Sequence, residues 1–110
     1  MSPPWSSELA AGLRRDREDL LTAFLIFRAQ LRDTDADEFS GGVDERSRLL
    51  LETEHDSVAI ASAGAEAMRL ETMLEPADRE VTEREADSAR LVIAQMRELV
   101  TAAASRLPSP

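Results

Sequence analysis

The sequence has almost none of the residue types that most often carry catalysis or bind metals. It contains no cysteine and a single histidine, His55. The lack of cysteine excludes disulfides and cysteine-ligated metal sites. A nucleophilic site needs a base near its serine or threonine, and one histidine leaves little material for such an arrangement. We therefore expect a protein that is not an enzyme and that carries no cofactor.

Residues that break helices and form turns are also scarce. The chain of 110 residues has four glycines and five prolines, and four of the five prolines lie close to a terminus. This scarcity favours a few long helices over many short strands, because short strands need frequent turns. The length is that of one domain. We predict a single helical domain over residues 1–110, with short flexible termini at 1–5 and 108–110.

Long apolar runs and a positive net charge are absent as well. The longest apolar runs, 20–27 and 58–65, each span eight residues with one hydroxyl residue inside, whereas a helix that crosses a bilayer needs about 20. The net charge is −9, which argues against sequence-independent binding to DNA or to anionic membranes. The start of the chain shows no secretory signal. We therefore predict a cytoplasmic protein with no nucleic-acid partner and no membrane partner.

The charges that are present are distributed unevenly. Residues 34–75 carry eleven acidic residues against three arginines, while the segments on either side are close to neutral. All 13 basic residues are arginine, a composition that we interpret as the codon bias of a high-GC bacterium. The acidic middle of the chain is therefore its main electrostatic feature.

Helical periodicity is strongest in the first third of the chain. We predict a helix over about residues 6–33, capped by Ser6 or Ser7, with Trp5 outside it and folded back on the first turn. Residues 20–27 are apolar nearly all round, which is typical of a helix covered on several sides. The apolar residues recur at the spacing of a coiled-coil seam; they are Leu13, Leu20, Phe24, Phe27 and Leu31.

A second helix is predicted at about 44–74, after an acidic loop with two glycines at 33–42. Its segment from Val58 to Ala67 consists mainly of alanine, glycine and serine. Small side chains let a neighbouring helix come close, so the large side chains that fill the facing groove must come from another helix. We expect the region of Phe24 and Phe27 to supply them.

A third helix is predicted at about 77–106. It begins either at Pro76, which suits the first turn of a helix, or at a capping box formed by Thr82 and Glu85. Its predicted apolar seam follows the same helical spacing and consists of Val92, Met96, Leu99 and Ala103.

One pair of residues has the spacing of metal ligands. Glu52 and His55 are separated by three positions, the spacing by which ferritin-like bundles direct two ligands at one metal. A second such pair is missing because the chain has one histidine, so only a homo-oligomer would complete a two-metal site. On a helical wheel Glu52 lies about 60° and His55 about 120° from the direction of the predicted core, so His55 is expected to face solvent or a partner chain. A ferritin-like metal-binding helical oligomer that uses Glu52 and His55 is therefore an alternative function.

The loop before the second helix is similar to a calcium-binding loop between two helices. Asp33, Asp35 and Asp37 alternate, and Asp44 stands at the twelfth position. The glycine of the sixth position and the glutamate of the twelfth are both missing, since Glu38 and an aspartate stand there. We interpret this segment as an acidic, solvated turn.

Together these patterns predict an all-α fold: an antiparallel helical hairpin or three-helix bundle with coiled-coil-like seams, completed by dimerisation. The first helix has a wider apolar surface than one thin hairpin partner would cover, and such a patch is unusual for a monomer. We therefore predict a non-enzymatic protein–protein interaction module, such as an adaptor, chaperone, regulator or structural subunit, that acts as a homo-oligomer. Its predicted interface is formed by Leu20, Phe24, Phe27 and Leu31.

A secreted function is a further alternative. The length, acidity and alanine content of the chain are compatible with small secreted helical-hairpin proteins of actinobacterial type. Their Trp-x-Gly turn is absent, because Trp5 lies near the terminus and the pair Gly41 and Gly42 has no tryptophan beside it.

Overall fold

The computed structural model describes residues 4–74 and 78–108. It contains three long helices, α1 (Pro4–Asp33), α2 (Gly42–Thr72) and α3 (Arg79–Ala104), and a single 3₁₀ turn, Ala36–Glu38, within the described residues. The prediction of an all-α fold is confirmed, because 88% of the described residues are helical and no strand occurs among them.

Each helix packs against the other two, and the resulting bundle measures 56 × 21 × 16 Å. Helices α1 and α3 run parallel, because Asp16 pairs with Arg90 and Asp19 pairs with Arg97 further along both helices. Helix α2 runs antiparallel to both of them. A single chain therefore forms the three-helix bundle that the sequence predicts.

The first helix begins earlier than predicted. Pro4 opens α1, a position that suits proline because its missing N–H would have no partner there. Trp5 consequently lies inside the first turn and not before it. The guanidinium of Arg79, from the start of α3, lies 5.1 Å from the centre of the Trp5 ring. The start of α1 is therefore held against the start of α3 by a cation–π contact.

The third helix is capped by Asp78, whose carboxylate accepts a hydrogen bond from the N–H of Glu80 at 2.9 Å. The predicted capping box at Thr82 is wrong: Thr82 lies inside α3, is buried, and donates its hydroxyl hydrogen to the carbonyl oxygen of Asp78. The alternative start at Pro76 lies outside the described residues.

The connection between α1 and α2 is acidic and exposed, as expected, with one exception. Asp35 and Asp37 face solvent, but Phe39 is buried and belongs to the core. Gly42 then starts α2 with a φ of 65°, a left-handed conformation that favours glycine. The connection is thus fixed to the bundle by one aromatic side chain and one glycine.

We expect replacement of Gly42 with alanine to lower the free energy of unfolding by about 1–2 kcal/mol, the penalty for a Cβ in left-handed backbone. No atom lies within 4 Å of the position that the new Cβ would occupy, so the effect would come from the backbone alone. Gly64→Ala in the middle of α2 is the matched control. Its Cβ would meet Leu21 at an ordinary 3.7 Å, and the better helix propensity of alanine should add about 1 kcal/mol. Urea unfolding that shows the same sign for both variants would contradict this expectation.

The core runs along the axis of the bundle, and α1 contributes to it with the predicted spacing. The phase of α3 differs from the prediction. Its buried apolar residues are Ala86, Ala89, Ile93 and Val100, whereas the predicted seam followed Val92 and Leu99. The helix is therefore rotated by one residue, or about 100°, from the predicted orientation. Val92 and Leu99 consequently lie on the side that faces α2, and both remain half exposed.

Candidate functional site

The residues of the predicted interface lie inside the bundle. Leu20, Phe24, Phe27 and Leu31 are all buried by the helices of their own chain. Their burial requires no second chain, and the bundle offers no exposed surface at these positions. An interface between chains at these four residues stays a prediction. The uncovered apolar surface lies elsewhere.

The two candidate metal ligands are not brought together with a third. Glu52 forms an ion pair with Arg106, in the turn after α3, and His55 is exposed. Within the described parts of the chain, no group of three or more histidine, aspartate or glutamate side chains could hold a metal ion. The acidic loop does not form such a group either, and Glu38 instead accepts a hydrogen bond from the N–H of Asp35 at 2.9 Å.

The groove between α1 and α3 is bridged by charged side chains. The Nε of Arg90 lies 2.7 Å from a carboxylate oxygen of Asp16, and the Nε of Arg97 lies 3.0 Å from one of Asp19. These pairs lie seven residues apart on α3, two turns of helix. They cover the groove over that length with polar groups.

The groove between α1 and α2 is closed by a more buried ion pair. Arg17 donates two hydrogen bonds to the carboxylate of Glu71, at 2.9 and 3.3 Å. The side chains of Arg17 and Glu71 are only 14% and 7% exposed. The hydrogen bond to Glu71 raises the pKa of Arg17, so this arginine stays charged. Arg14 adds a third contact to the same carboxylate at 3.3 Å.

The groove between α2 and α3, called here the α2–α3 groove, differs from the other two because its middle is apolar. It has a volume of about 530 Å³. Among the described residues, no ion pair joins α2 to α3 itself, and the pair Glu52–Arg106, which joins α2 to the turn after α3, lies beyond one end of the groove. The groove is lined by Ala59, Ser62 and Ala63 of α2 and by Ser88, Val92 and Met96 of α3.

The two walls of the α2–α3 groove differ in size. The α2 wall consists of small side chains, whereas the α3 wall carries Val92 and Met96. Leu99 lies two turns beyond Val92, outside the groove and beside Thr53 and Asp56 of α2. Val92 is 42% and Leu99 41% exposed. The α3 side of the groove, from Glu85 to Met96, extends over about three turns, or about 17 Å. The groove thus has the length of a short helix.

Charged residues stand at both ends of the α2–α3 groove. Glu66 and Arg69 of α2 form an ion pair at one end, beside Glu85 of α3. The hydrogen bond from Arg69 lowers the pKa of Glu66, so this carboxylate is charged at neutral pH. The Glu52–Arg106 pair lies beyond the opposite end, about two turns from Ala59 along α2. The groove therefore has an apolar middle with charges of both signs at either end.

Comparisons with known protein families, with curated proteins and with solved structures found no match. The α2–α3 groove carries two serine hydroxyls, of Ser62 and Ser88, and no histidine among the residues that line it. No helix in the described part of the chain is long and apolar enough to cross a membrane.

The sequence does not predict the α2–α3 groove, although it shows the residues of both walls. The small residues of α2 are predicted to face Phe24 and Phe27, and these two side chains do lie beside Ile60 of α2, but Ala59 and Ser62 line the groove on the side of α3. The apolar residues Val92 and Leu99 were expected inside the bundle. Only the rotation of α3 by one residue brings the small residues of α2 and Val92 into the walls of one groove.

Proposed function

We propose that this chain is a non-enzymatic protein–protein interaction module of the cytoplasm, acting as an adaptor, chaperone, regulator or structural subunit, and that a helix from another polypeptide chain binds in its α2–α3 groove. The observation that carries this proposal is the exposure of Val92 in a groove that no ion pair crosses in its middle, with the exposed Leu99 two turns further along α3, beside Thr53 and Asp56 of α2. An exposed apolar patch with a polar rim is typical of an interaction site.

The dimensions of the groove favour a helix as the bound element. Amphipathic helices bind by placing residues at i, i+3, i+4 and i+7 into an apolar groove, and about 17 Å accommodates three turns. The small side chains of Ala59, Ser62 and Ala63 permit the close approach of helix axes, which pack about 8–10 Å apart. Val92 would gain part of the roughly 1.5–3 kcal/mol that full burial of such a side chain provides.

Site-specific cross-linking in the native cells tests this proposal. A photoreactive phenylalanine analogue at position 88, on the groove, is compared with the same analogue at position 22, on the outer face of α1. Ser88 and Thr22 are both small, polar and exposed, so both substitutions should be tolerated. We expect a discrete adduct from position 88 and none from position 22. No adduct from position 88, or the same adducts from both positions, would refute the proposed function.

A further inference from the structure

We propose that the helix bound in the α2–α3 groove belongs to a second copy of this chain, in a dimer whose two-fold axis runs parallel to the helices. Helix α3 of each copy then lies over α2 of the other, and the four helices form an antiparallel bundle. This inference rests on the proposed function, because it takes the α2–α3 groove as the binding surface and names what occupies it.

The shapes of the two walls carry the inference. The α2 wall carries the small side chains of Ala59, Ser62 and Ala63 and is called here the trough, and the α3 wall carries the larger side chains of Val92 and Met96 and is called here the ridge. A two-fold contact uses the same surface on both copies. When α3 of each copy lies over α2 of the other, the ridge of each copy enters the trough of the other, so the dimer has two equivalent contacts. The bulky residues that the trough lacks are then supplied by the second copy.

The direction of the symmetry axis follows from the same shapes. An axis perpendicular to the helices would instead lay α2 on α2 and α3 on α3. The small residues of the two troughs would then face each other and leave a gap, while the two ridges would collide. Close packing of the kind found in protein interiors therefore favours the axis parallel to the helices. With that axis, every pair of neighbouring helices in the four-helix bundle is also antiparallel.

The charges at the ends of the groove match this arrangement. With the axis parallel to the helices, each end of the groove meets the same end of the second copy. Arg69 on α2 then faces Glu85 of the second copy, and Glu52 faces Arg106 of the second copy. Glu85 has no ion pair within the described structure, and Arg69 and Arg106 each have one. Opposite charges thus meet at both ends.

The available area is sufficient for a stable dimer. The face that carries α2 and α3 extends along the 56 Å length of the bundle and is up to 21 Å wide. A standard interface buries about 800 Å² on each partner, which is about two thirds of such a face. The remaining third is enough for the exposed rim that surrounds most interfaces.

The mass of the full chain in solution is the first test. We expect light scattering at concentrations on the order of 100 μM to give twice the mass of one chain, because a micromolar dimer is saturated there. Ser62→Glu places an unpaired charge in the trough and should weaken the dimer at least about tenfold. Ser47→Glu, also exposed on α2 but outside the groove, is the matched control and should leave the mass unchanged. Circular dichroism of both variants should show native helix content.

A charge exchange tests the geometry of the dimer. Arg69→Glu and Glu85→Arg should each weaken the dimer, because each places like charges across the interface. The two changes combined should restore it, since the pair is then reversed. In a dimer with the perpendicular axis, the combined variant would bring two acidic residues together and two arginines together, and would not restore assembly.

The possible results separate the two proposals. A monomeric wild-type chain at 100 μM would refute the second copy as occupant. If the adduct from position 88 then contains a different protein, the proposed function stands and only the homodimer fails. If no adduct forms, both fail. A dimer that Ser62→Glu leaves intact would place the contact on another surface and refute this inference.

Discussion

Replacement of Phe27 with alanine should lower the free energy of unfolding by about 3–5 kcal/mol, the usual loss for a buried phenylalanine. The side chain is 2% exposed and lies in the core between the three helices. A large cavity would remain, because its neighbours on α2 and α3 are held in long helices that can close in only slightly. Domains of this size are typically stable by about 5–15 kcal/mol, so the variant would be partly unfolded at moderate temperature.

The comparison variant for Phe27→Ala is Leu25→Ala on the outer side of the same helix. Leu25 is 55% exposed, so its replacement should change the stability by less than about 1 kcal/mol. Urea unfolding at one fixed protein concentration measures both, since assembly makes stability concentration-dependent. Light scattering completes the comparison. If Phe27→Ala reduced the mass in solution while leaving the stability of the folded chain nearly unchanged, Phe27 would lie at an interface between chains and not in the core.

Removal of the Glu71 carboxylate should also lower the free energy of unfolding strongly. Glu71→Ala would leave the guanidinium of Arg17 mostly buried without an acidic partner, and breaking a buried pair from one side typically costs about 3–5 kcal/mol. Arg17 is 14% exposed and Arg14 reaches solvent, so partial hydration should keep the loss near about 3 kcal/mol. Thermal unfolding followed by circular dichroism would measure it.

Two further variants serve as comparisons for Glu71→Ala: one breaks an exposed ion pair, and the other replaces both charges of the buried pair with apolar side chains. Asp19→Ala removes an acidic partner from the exposed pair with Arg97, where the aspartate is 64% exposed, and should cost no more than about 1 kcal/mol. Arg17→Met combined with Glu71→Leu removes both charges and keeps apolar volume, and should be more stable than Glu71→Ala alone. If the double variant were the less stable one, the ion pair itself would be a net source of stability.

The helical fold could be predicted because its signals are local and repeated. In α1, the apolar residues of the predicted seam recur at helical spacing, and this spacing is enough to identify the face of the helix that is buried. Leu13, Leu20 and Leu31 are accordingly all fully buried. The caps and boundaries of helices depend on one or two residues each, so the sequence predicts them less well. Pro4 as the first residue of α1 and Asp78 as the cap of α3 were both not predicted.

The rotation of α3 could not be predicted from periodicity. Val92 and Ile93 are adjacent and apolar, and so are Leu99 and Val100. Either member of each pair gives the same helical spacing, so the pattern does not determine which one faces the core. The choice depends on the packing of α3 against α1 and α2. The candidate site follows from this choice, because the outward member of the first pair, Val92, lies in one wall of the α2–α3 groove.

Contacts between single residues that lie far apart in the sequence could not be predicted either. Arg17 interrupts the apolar seam of α1, which marks it as unusual, but its partner Glu71 lies 54 residues away. Phe39 stands alone in a polar loop, and an isolated aromatic residue has no periodicity from which its burial could be inferred. Both become clear only when α2 folds back along α1.

The parallel course of α1 and α3 determines how two copies could be joined into one polypeptide. Trp5 lies beside Arg79 at one end of the bundle, whereas Arg106 follows 27 residues later, just beyond the other end of α3, so the two ends of the described chain are about 40 Å apart. In a face-to-face dimer with the axis along the helices, the end of one copy is separated by a similar distance from the start of the other. A tandem fusion would therefore need a linker of at least about 12 extended residues. A shorter linker would force the two copies into an end-to-end rod, with their α2–α3 grooves unable to meet.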